Sequence, residues 1–573
     1  MIARLAAVAF LFGAACAAAA PERLKVGVVQ LAQAPTIAAS RERIVANIAD
    51  AAARGARVVV LPEEALNGAG DDDATLVDEA IASIRRTARE RNVYVLFGGA
   101  SVLRGKTRRT HWMRVIGPDG SELLHYDKLH DAPQSPMPGT FEIDGIPCST
   151  LLCADRWLRG LEEIPIQQGA RISFELASNS SVEWVAPFGW YWNVPRALRN
   201  NVWVVFANTG NSRANMPSYP GASLRHGHSA VIAPDGRIVA RSADDVATVV
   251  MAEIDVNAAT RAEALARAAH PVLHEFWQAG LQRHAGREIR ATPLTPYESP
   301  VTDITLVAAQ VVDDVPAMIA RIREARRRQA DIIVFPACAA SESALATLQA
   351  AARENRIVVV FGAEHREGSA RYNSAFVLGP DGSLLTRYDQ LASEAPFQPG
   401  ANSGAMWFWV KGVPAVVTIG RDGLWSEISE LAAAAGAQLH VHLERDPAGG
   451  DAALVREQVW ANLASFLTFT ATVNVAGSIL WDDLRGLEER RAPVGSRLPG
   501  SGDVEVYSQF SANVVTRARP DDAMIVATRR VNASNDYHSR FVARKNPQMD
   551  AWLPLGAARL QASAGLGAAQ LSN

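Results

Sequence analysis

Residues 24–66 read LKVGVVQLAQAPTIAASRERIVANIADAAARGARVVVLPEEAL, and this stretch decides the fold. Its opening, LKVGVVQLAQ (24–33), is a valine-rich apolar run that reads as a buried strand. RERIVANIADAAARGA (41–56) spaces its apolar residues for an amphipathic helix, and RVVVLPEEAL (57–66) is a second buried strand ending in Pro-Glu-Glu. A strand, a helix and a strand in that order make a parallel pair, because the chain must cross back over the sheet before pairing again.

The same order returns further along the chain. ITLVAAQVVDD (304–314), AMIARIREARRRQA (317–330) and DIIVFPACAA (331–340) repeat strand, helix and strand, with Gln310 matching Gln30 and Pro336 matching Pro62. The echo stays in register: NVYVLFGGA (92–100) answers IVVVFGAEH (357–365), VIGPDGSELLHYDKL (115–129) answers VLGPDGSLLTRYDQL (377–391), and DGIPCSTLLCADRW (144–157) answers KGVPAVVTIGRDGLW (411–425). The period is about 270 residues, long enough for each copy to be a domain rather than a solenoid unit. Each PDG tripeptide reads as a tight turn between antiparallel strands, and SAVIAPDGRIVAR (229–241) adds another such hairpin. Buried strands alternating with amphipathic helices, with hairpins between, predict an α/β layered domain with sheets inside and helices outside. The boundary between copies falls near residues 275–302, where ATPLTPYESPVTD (291–303) is rich in proline and threonine. The tail ARLQASAGLGAAQLSN (558–573) has small residues and little pattern, and reads as mobile.

The 573 residues are 48% hydrophobic and 20% charged, the balance of a globular protein with sizeable cores. A net charge of -3 supplies no basic field for a nucleic acid partner. A short basic start, then LAAVAFLFGAACAAAA (5–20) and the polar Pro21-Glu22-Arg23, has the architecture of a cleaved signal segment over 1–20, which places the protein in the periplasm or outside the cell. No later run is long enough for a membrane span. Loss of Cys16 with the signal leaves Cys148, Cys153 and Cys338, which is not a disulfide framework.

Three segments of the first copy put reactive groups at strand ends: Glu63 after VVVLP, Lys128 in HYDKLH and Cys153 in STLLCADRW. A thiol is mostly protonated at neutral pH, so acyl chemistry on it needs a base and a cation that stabilises developing negative charge. Glu63 fits the base and Lys128 the cation, while the backbone N–H of Ala154 is placed to share the oxyanion of a tetrahedral intermediate. Cys148, five residues before Cys153 on the same strand, points to the opposite face and reads as a small core residue. SSVEWVAPFGWYWNVP (180–195) either lines an acyl pocket or fills a core and interface.

With VVVLPEEAL, PDGSELLHYDKLH and GIPCSTLLCADRW in order, followed by PRALRNNVWVVFANTGN and HGHSAVIAPDGRIVAR, the chain resembles the nitrilase, or carbon-nitrogen hydrolase, superfamily in tandem. The resemblance spans residues 24–270 and 303–530. It implies two four-layer αββα sandwiches, with Glu63 as base, Lys128 as oxyanion stabiliser and Cys153 as nucleophile. It implies no metal and no organic cofactor, and a small amide or nitrile as substrate. Family members often carry a second Glu between the Lys and the Cys; here Glu142 lies in TFEIDG, which reads as a strand, and either Asp131 or the segment HDAPQSPM supplies that polar contact or the short loop from Lys128 to Cys153 lacks it. Ala154 departs from the aromatic or acidic residue that commonly follows the nucleophile.

In the second copy the alignment sets Ala337 opposite Glu63, Gln390 opposite Lys128 and Gly420 opposite Cys153, so that copy has no route to a covalent acyl intermediate. Cys338, opposite Glu64, reads as a buried thiol. The layout expected is a signal segment (1–20), a catalytic domain (24–275), a linker (276–302), a degenerate domain (303–540) and a C-terminal extension (541–573). The family habit of pairing such units implies a pseudo-dimer within the chain. Hydrolysis of a linear, non-peptide C–N bond is the leading function; acyl transfer to an amine by the same triad, and an inactive secreted scaffold, are the alternatives.

Overall fold

The computed structural model describes residues 22–68, 74–102, 109–132, 135–179, 189–212, 217, 224–289, 294–446, 449–466, 469–475, 477–483, 503–507, 513–518, 524–531 and 552–564. The expected signal segment lies outside the described residues. Among them, no helix is long and apolar enough to cross a membrane.

The deciding stretch folds as it reads. Strand Arg23–Gln30 pairs in parallel with Val58–Val60, and between them helix Ile37–Ala53 crosses the sheet. Thr36 caps that helix by accepting the Ala39 N–H at 3.2 Å, and Ile37, Ile44, Ile48 and Ala51 form the stripe buried against the sheet. The second strand is shorter than RVVVLPEEAL suggests: only three residues join the ladder, and the chain turns at Pro62 to present Glu63 and Glu64.

In the first copy, one six-stranded sheet runs Thr248–Asp255, Arg23–Gln30, Val58–Val60, Tyr94–Val102, Arg109–Ile116, Glu122–Asp127. The other runs Ile238–Arg241, Ala230–Ile232, Trp203–Asn208, Ile172–Ala177, Ile146–Leu152, Phe141–Ile143. Their inner faces meet through Val28, Val60, Leu96, Met113, Leu152, Phe174 and Val205, all fully buried. A separate apolar cluster seals helices Ile37–Ala53 and Ala74–Arg91 onto the outer face of the first sheet. Helix, sheet, sheet, helix is the αββα sandwich. The PDG segments form the expected turns, with strand Arg109–Ile116 antiparallel to Glu122–Asp127 and Ala230–Ile232 antiparallel to Ile238–Arg241.

The second copy repeats the plan. Its first sheet runs Leu384–Asp389, Ala370–Leu378, Val358–Glu367, Ile332–Val334, Thr302–Ala309, Met524–Val531, and the last strand closes on Thr302–Ala309 as Thr248–Asp255 closes on Arg23–Gln30. Its second sheet has seven strands, from the edge strand Trp407–Val410 through Val413–Ile419, Leu439–Leu443 and Phe469–Val473 to strands within 479–517.

The copies face each other through helices, and one apolar cluster crosses between them: Trp157 and Trp192 meet Phe466 at ring-centroid distances of 6.3 and 6.0 Å. Beside it lies a lattice of ion pairs. Helices Arg159–Gln167, Asn193–Asn200 and Ala262–Ala269 of the first copy supply Arg159, Glu162, Glu163, Arg196, Arg199 and Arg267, and helix Ser426–Ala434 of the second supplies Glu427 and Glu430. Every one of these side chains is buried.

Helices extend into two parts of the expected layout. Helix His274–His284 begins inside the expected catalytic domain and continues into the expected linker. Of the C-terminal extension residues 552–564 are described: Leu553–Ser563, which includes the start of the tail read as mobile, is a helix with Leu553, Gly556, Ala557 and Leu560 buried, and Trp552 ahead of it packs against Phe276 with ring centroids 4.3 Å apart. Its small residues hide the stripe in sequence, and its partners lie far away along the chain.

Candidate active site

Glu63 stands on the turn after Val58–Val60, Lys128 follows strand Glu122–Asp127, and Cys153 follows strand Ile146–Leu152. The first two leave one sheet and the third leaves the other, so the sandwich itself brings them together. Gly98 makes room for the Glu63 turn, since a Cβ there would overlap the Glu63 backbone. Lys128 Nζ donates to Glu63 Oε1 at 2.6 Å, with both side chains buried. Burial opposes the ammonium charge, but the Glu63 carboxylate and the nearby Cys153 hold the Lys128 pKa well above the ordinary lysine value.

Cys153 has φ +44°, in the left-handed region that side chains other than glycine rarely adopt. This sharp exit from the strand leaves the thiol within electrostatic reach of Glu63 and Lys128. Burial and the Glu63 charge push the thiol up to about 11, against the opposing pull of Lys128 and Arg156. At neutral pH the Cys153 side chain therefore rests as a thiol, and any nucleophilic use of it requires a base.

Around the thiol the structure adds residues that the motifs do not reveal. Cys153 Sγ lies 3.6 Å from Asn179 Oδ1, and Arg156 reaches the Cys153 carbonyl at 2.8 Å, Asn179 Oδ1 at 3.3 Å and Glu175 at 2.8 Å. Asp155 accepts the backbone N–H groups of Leu129 and His130, both at 3.0 Å, so it clamps the loop carrying Lys128 to the turn carrying Cys153. On the other side, Glu64 accepts from Gln33 at 2.5 Å, Ser178 at 2.6 Å and Arg225 at 3.0 Å, with His111 at 3.4 Å. Burial favours its neutral acid, but the His111 and Arg225 contacts hold it down at about 2.

The carbon-nitrogen hydrolase family model matches residues 25–264 and again 304–454. The chain belongs to the carbon-nitrogen hydrolase family. Among its relatives, the omega-amidase NIT2-A of Xenopus laevis is 26% identical over 264 residues, covering 41% of this chain and 90% of that protein. The human omega-amidase NIT2 is 26% identical over 239 residues, covering 37% of this chain and 80% of its own length. Among solved structures, an amidase double mutant from Nesterenkonia sp. AN1 in complex with acrylamide aligns at 18% identity, over 45% of this chain and 98% of that one, with a TM-score of 0.38. This carbon-nitrogen hydrolase is an enzyme of the amidase and nitrilase type, acting on non-peptide C–N bonds.

Of the two candidates for the extra acidic contact, Asp131 lies at the site: its Oδ2 is 2.6 Å from His111 Nδ1. Glu142 is exposed on strand Phe141–Ile143, away from the triad. Trp190 shares a buried cluster with Cys153, whereas Trp192 packs at the interface between copies; the rest of the tryptophan-rich segment up to residue 188 lies outside the described residues. Cys148 is a core residue, with burial pushing its thiol well above the usual range. Among the described residues, no group of three or more His, Cys, Asp or Glu could hold a metal ion.

The second copy keeps the scaffold and fills the site. Asp422 accepts the N–H groups of Leu391 at 3.0 Å and Ala392 at 2.8 Å, and Tyr388 donates to it at 2.7 Å, as Tyr126 does to Asp155 at 3.2 Å. Gly420 takes φ +58°, the counterpart of the Cys153 turn, but a Cβ there would overlap Gln390 Oε1. Opposite Arg156 stands Gly423 and opposite Glu175 stands His442, whose ring fills the space a Gly423 side chain would enter. Cys338 is half-buried rather than buried, with its Sγ 3.8 Å from Asn373 Oδ1. The repeat alignment could have exposed Arg156 and Glu175, because both change along with the triad while Asp155 does not.

Proposed function

We propose that the first copy hydrolyses a linear, non-peptide amide through a thioester on Cys153. The observation that carries this reading is the buried Lys128–Glu63 contact at 2.6 Å beside a thiol that both charges bear upon. Glu63 takes the thiol proton as Sγ attacks the carbonyl carbon, and the oxyanion is held by Lys128 and the Ala154 N–H. Glu63 then hands the proton to the departing nitrogen, the C–N bond breaks, and ammonia or an amine leaves. Water, deprotonated by Glu63, attacks the thioester; the acid departs and the thiol is restored.

The amidase names of the relatives support a carboxamide in preference to a nitrile. The second copy serves as a built-in pairing partner, covering the helical face of the first. The amino-terminal 20 residues direct the chain out of the cytoplasm. Intact mass spectrometry of the enzyme with a panel of short carboxamides tests the chemistry: an acyl adduct on Cys153 that decays to free acid is expected. An adduct that forms but decays only when an amine is supplied would make the enzyme an acyltransferase, and hydrolysis without any dependence on Cys153 would end the reading.

A further inference from the structure

His111 stands on strand Arg109–Ile116 between the two segments that carry the base and the cation. Its backbone N–H donates to Asp131 Oδ2 at 3.1 Å, and its carbonyl accepts the Lys128 N–H at 2.8 Å. Ring Nδ1 lies 2.6 Å from the same Asp131 oxygen, and ring Nε2 lies 3.4 Å from Glu64 Oε1. A neutral imidazole carries one N–H and one bare lone pair, and an ionised carboxylate has no hydrogen to give. Two carboxylates on the two ring nitrogens are both satisfied only when the ring is doubly protonated.

We propose that the His111 imidazolium is the pin that sets the spacing between the general base and the oxyanion cation. It ties Glu64, next to Glu63, to Asp131, three residues past Lys128. The inference rests on the triad reading given above. With both N–H groups committed to carboxylates, the ring does not touch substrate; it is a positioning residue. The charged groups around it are Asp131 and Glu64 in contact, Glu63 and Lys128 nearby, and Arg225 on the far side of Glu64. Burial favours the neutral ring, but Asp131 and Glu64 hold its proton up to about 9. The Cys153 thiol stands at about 11 and Lys128 higher still, so His111 is the first of the three to lose its proton as pH rises. A bare nitrogen would then face a carboxylate. The longer contact, to Glu64, opens, while Glu64 keeps Gln33, Ser178 and Arg225.

The degenerate copy supports this assignment. At the matching strand position it carries Asn373, whose amide donates to Gln390 Oε1 at 2.8 Å and faces Cys338. The uncharged residue accompanies Ala337 and Gln390 at the positions of Glu63 and Lys128, so there is no base–cation pair to hold apart.

The test is kcat and KM from pH 6 to 10.5 for the full chain, with His111→Gln and Asp131→Asn beside the parent. The parent is expected to lose kcat as pH rises through about 9. His111→Gln should lower kcat by about tenfold to a hundredfold, with KM changed by less than about threefold, and should abolish the limb near 9. If His111→Gln does not fold, Asp131→Asn decides: it keeps the ring and removes its closer carboxylate, so the limb should move down toward the ordinary histidine value of about 6.5. A parent limb that neither variant moves overturns the pin. Cys153→Ala separates the two readings, because retained turnover there sinks the triad itself, whereas a dead Cys153→Ala with an unmoved limb sinks only the pin.

Discussion

The two copies share a backbone plan and an aspartate clamp, yet one holds a poised thiol and the other holds a plug. In the first, the space between the sheets' ends contains Glu63, Lys128 and Cys153, with Arg156 and Glu175 behind the thiol. In the second, the Gln390 amide occupies the room a nucleophile would need, and His442 occupies the room behind it. Where the triad residues are absent the void is filled, as expected where an empty polar cavity leaves buried groups without partners. The clamp survives because it has another task. Asp155 and Asp422 satisfy backbone N–H groups that any chain turning there must bury, whatever it catalyses.

The most severe way to erase the difference is Cys153→Ala. Turnover should fall by about ten-thousandfold or more, with the melting temperature within a few degrees of the parent, as measured by amide hydrolysis and calorimetry. Activity within tenfold of the parent would remove the contrast between the copies. Next comes Glu427→Gln in the degenerate copy, which takes one counter-charge from Arg267 while leaving Glu163 in place. Breaking a buried ion pair from one side costs about 3 kcal/mol or more, so denaturant unfolding should show the first copy losing stability through a residue it does not own. An unchanged midpoint would mean the copies are only tethered.

Lys128→Gln writes the Gln390 state into the active copy. It keeps hydrogen-bonding capacity and removes the charge, so kcat should drop by about a hundredfold while KM changes less. Alkylation of Cys153 should slow as well, because Lys128 opposes the rise of the thiol pKa caused by burial and Glu63. A raised KM with kcat intact would make Lys128 a binding residue. The smallest effect is expected for Cys338→Ala, a half-buried thiol with neither a lysine nor a glutamate at the matching positions; kcat/KM should stay within about twofold. A tenfold loss at unchanged stability would show that the second copy acts on the reaction.

Much of this contrast is legible in the amino-acid sequence. Glu63, Lys128 and Cys153 each end a recognisable apolar strand, so a local pattern marks them, and the internal repeat identifies Ala337, Gln390 and Gly420 without further help. What stays hidden depends on distant partners. RGLEEIPIQ (159–167) has the charge content of a solvated helix, yet eight of its nine residues are buried, because arginines and glutamates from three other helices neutralise it. The partner of Asp131 is not legible on spacing: Asp131 falls in the loop beside His111, whereas Glu142 falls on the outward side of an edge strand. The Leu553–Ser563 helix shows the same limit, since a stripe of leucine, glycine and alanine carries little signal until Phe276 is seen against it.

The lattice between the copies has a further consequence, which concerns charge balance. Its paired, buried members are Arg156, Arg159, Arg196, Arg199 and Arg267 against Glu162, Glu163, Glu175, Glu427 and Glu430, five against five. The first copy alone supplies all five cations but only three of the anions, 5 − 3 = 2 positive charges in excess, and the second copy returns the balance with Glu427 and Glu430. Two first copies set face to face would leave Arg159 and Arg267 of each copy to share Glu163 alone, a net excess of four buried positive charges. The halves are unlike poles of one magnet. The second copy thus completes the charge balance of a face that the first copy alone leaves positive.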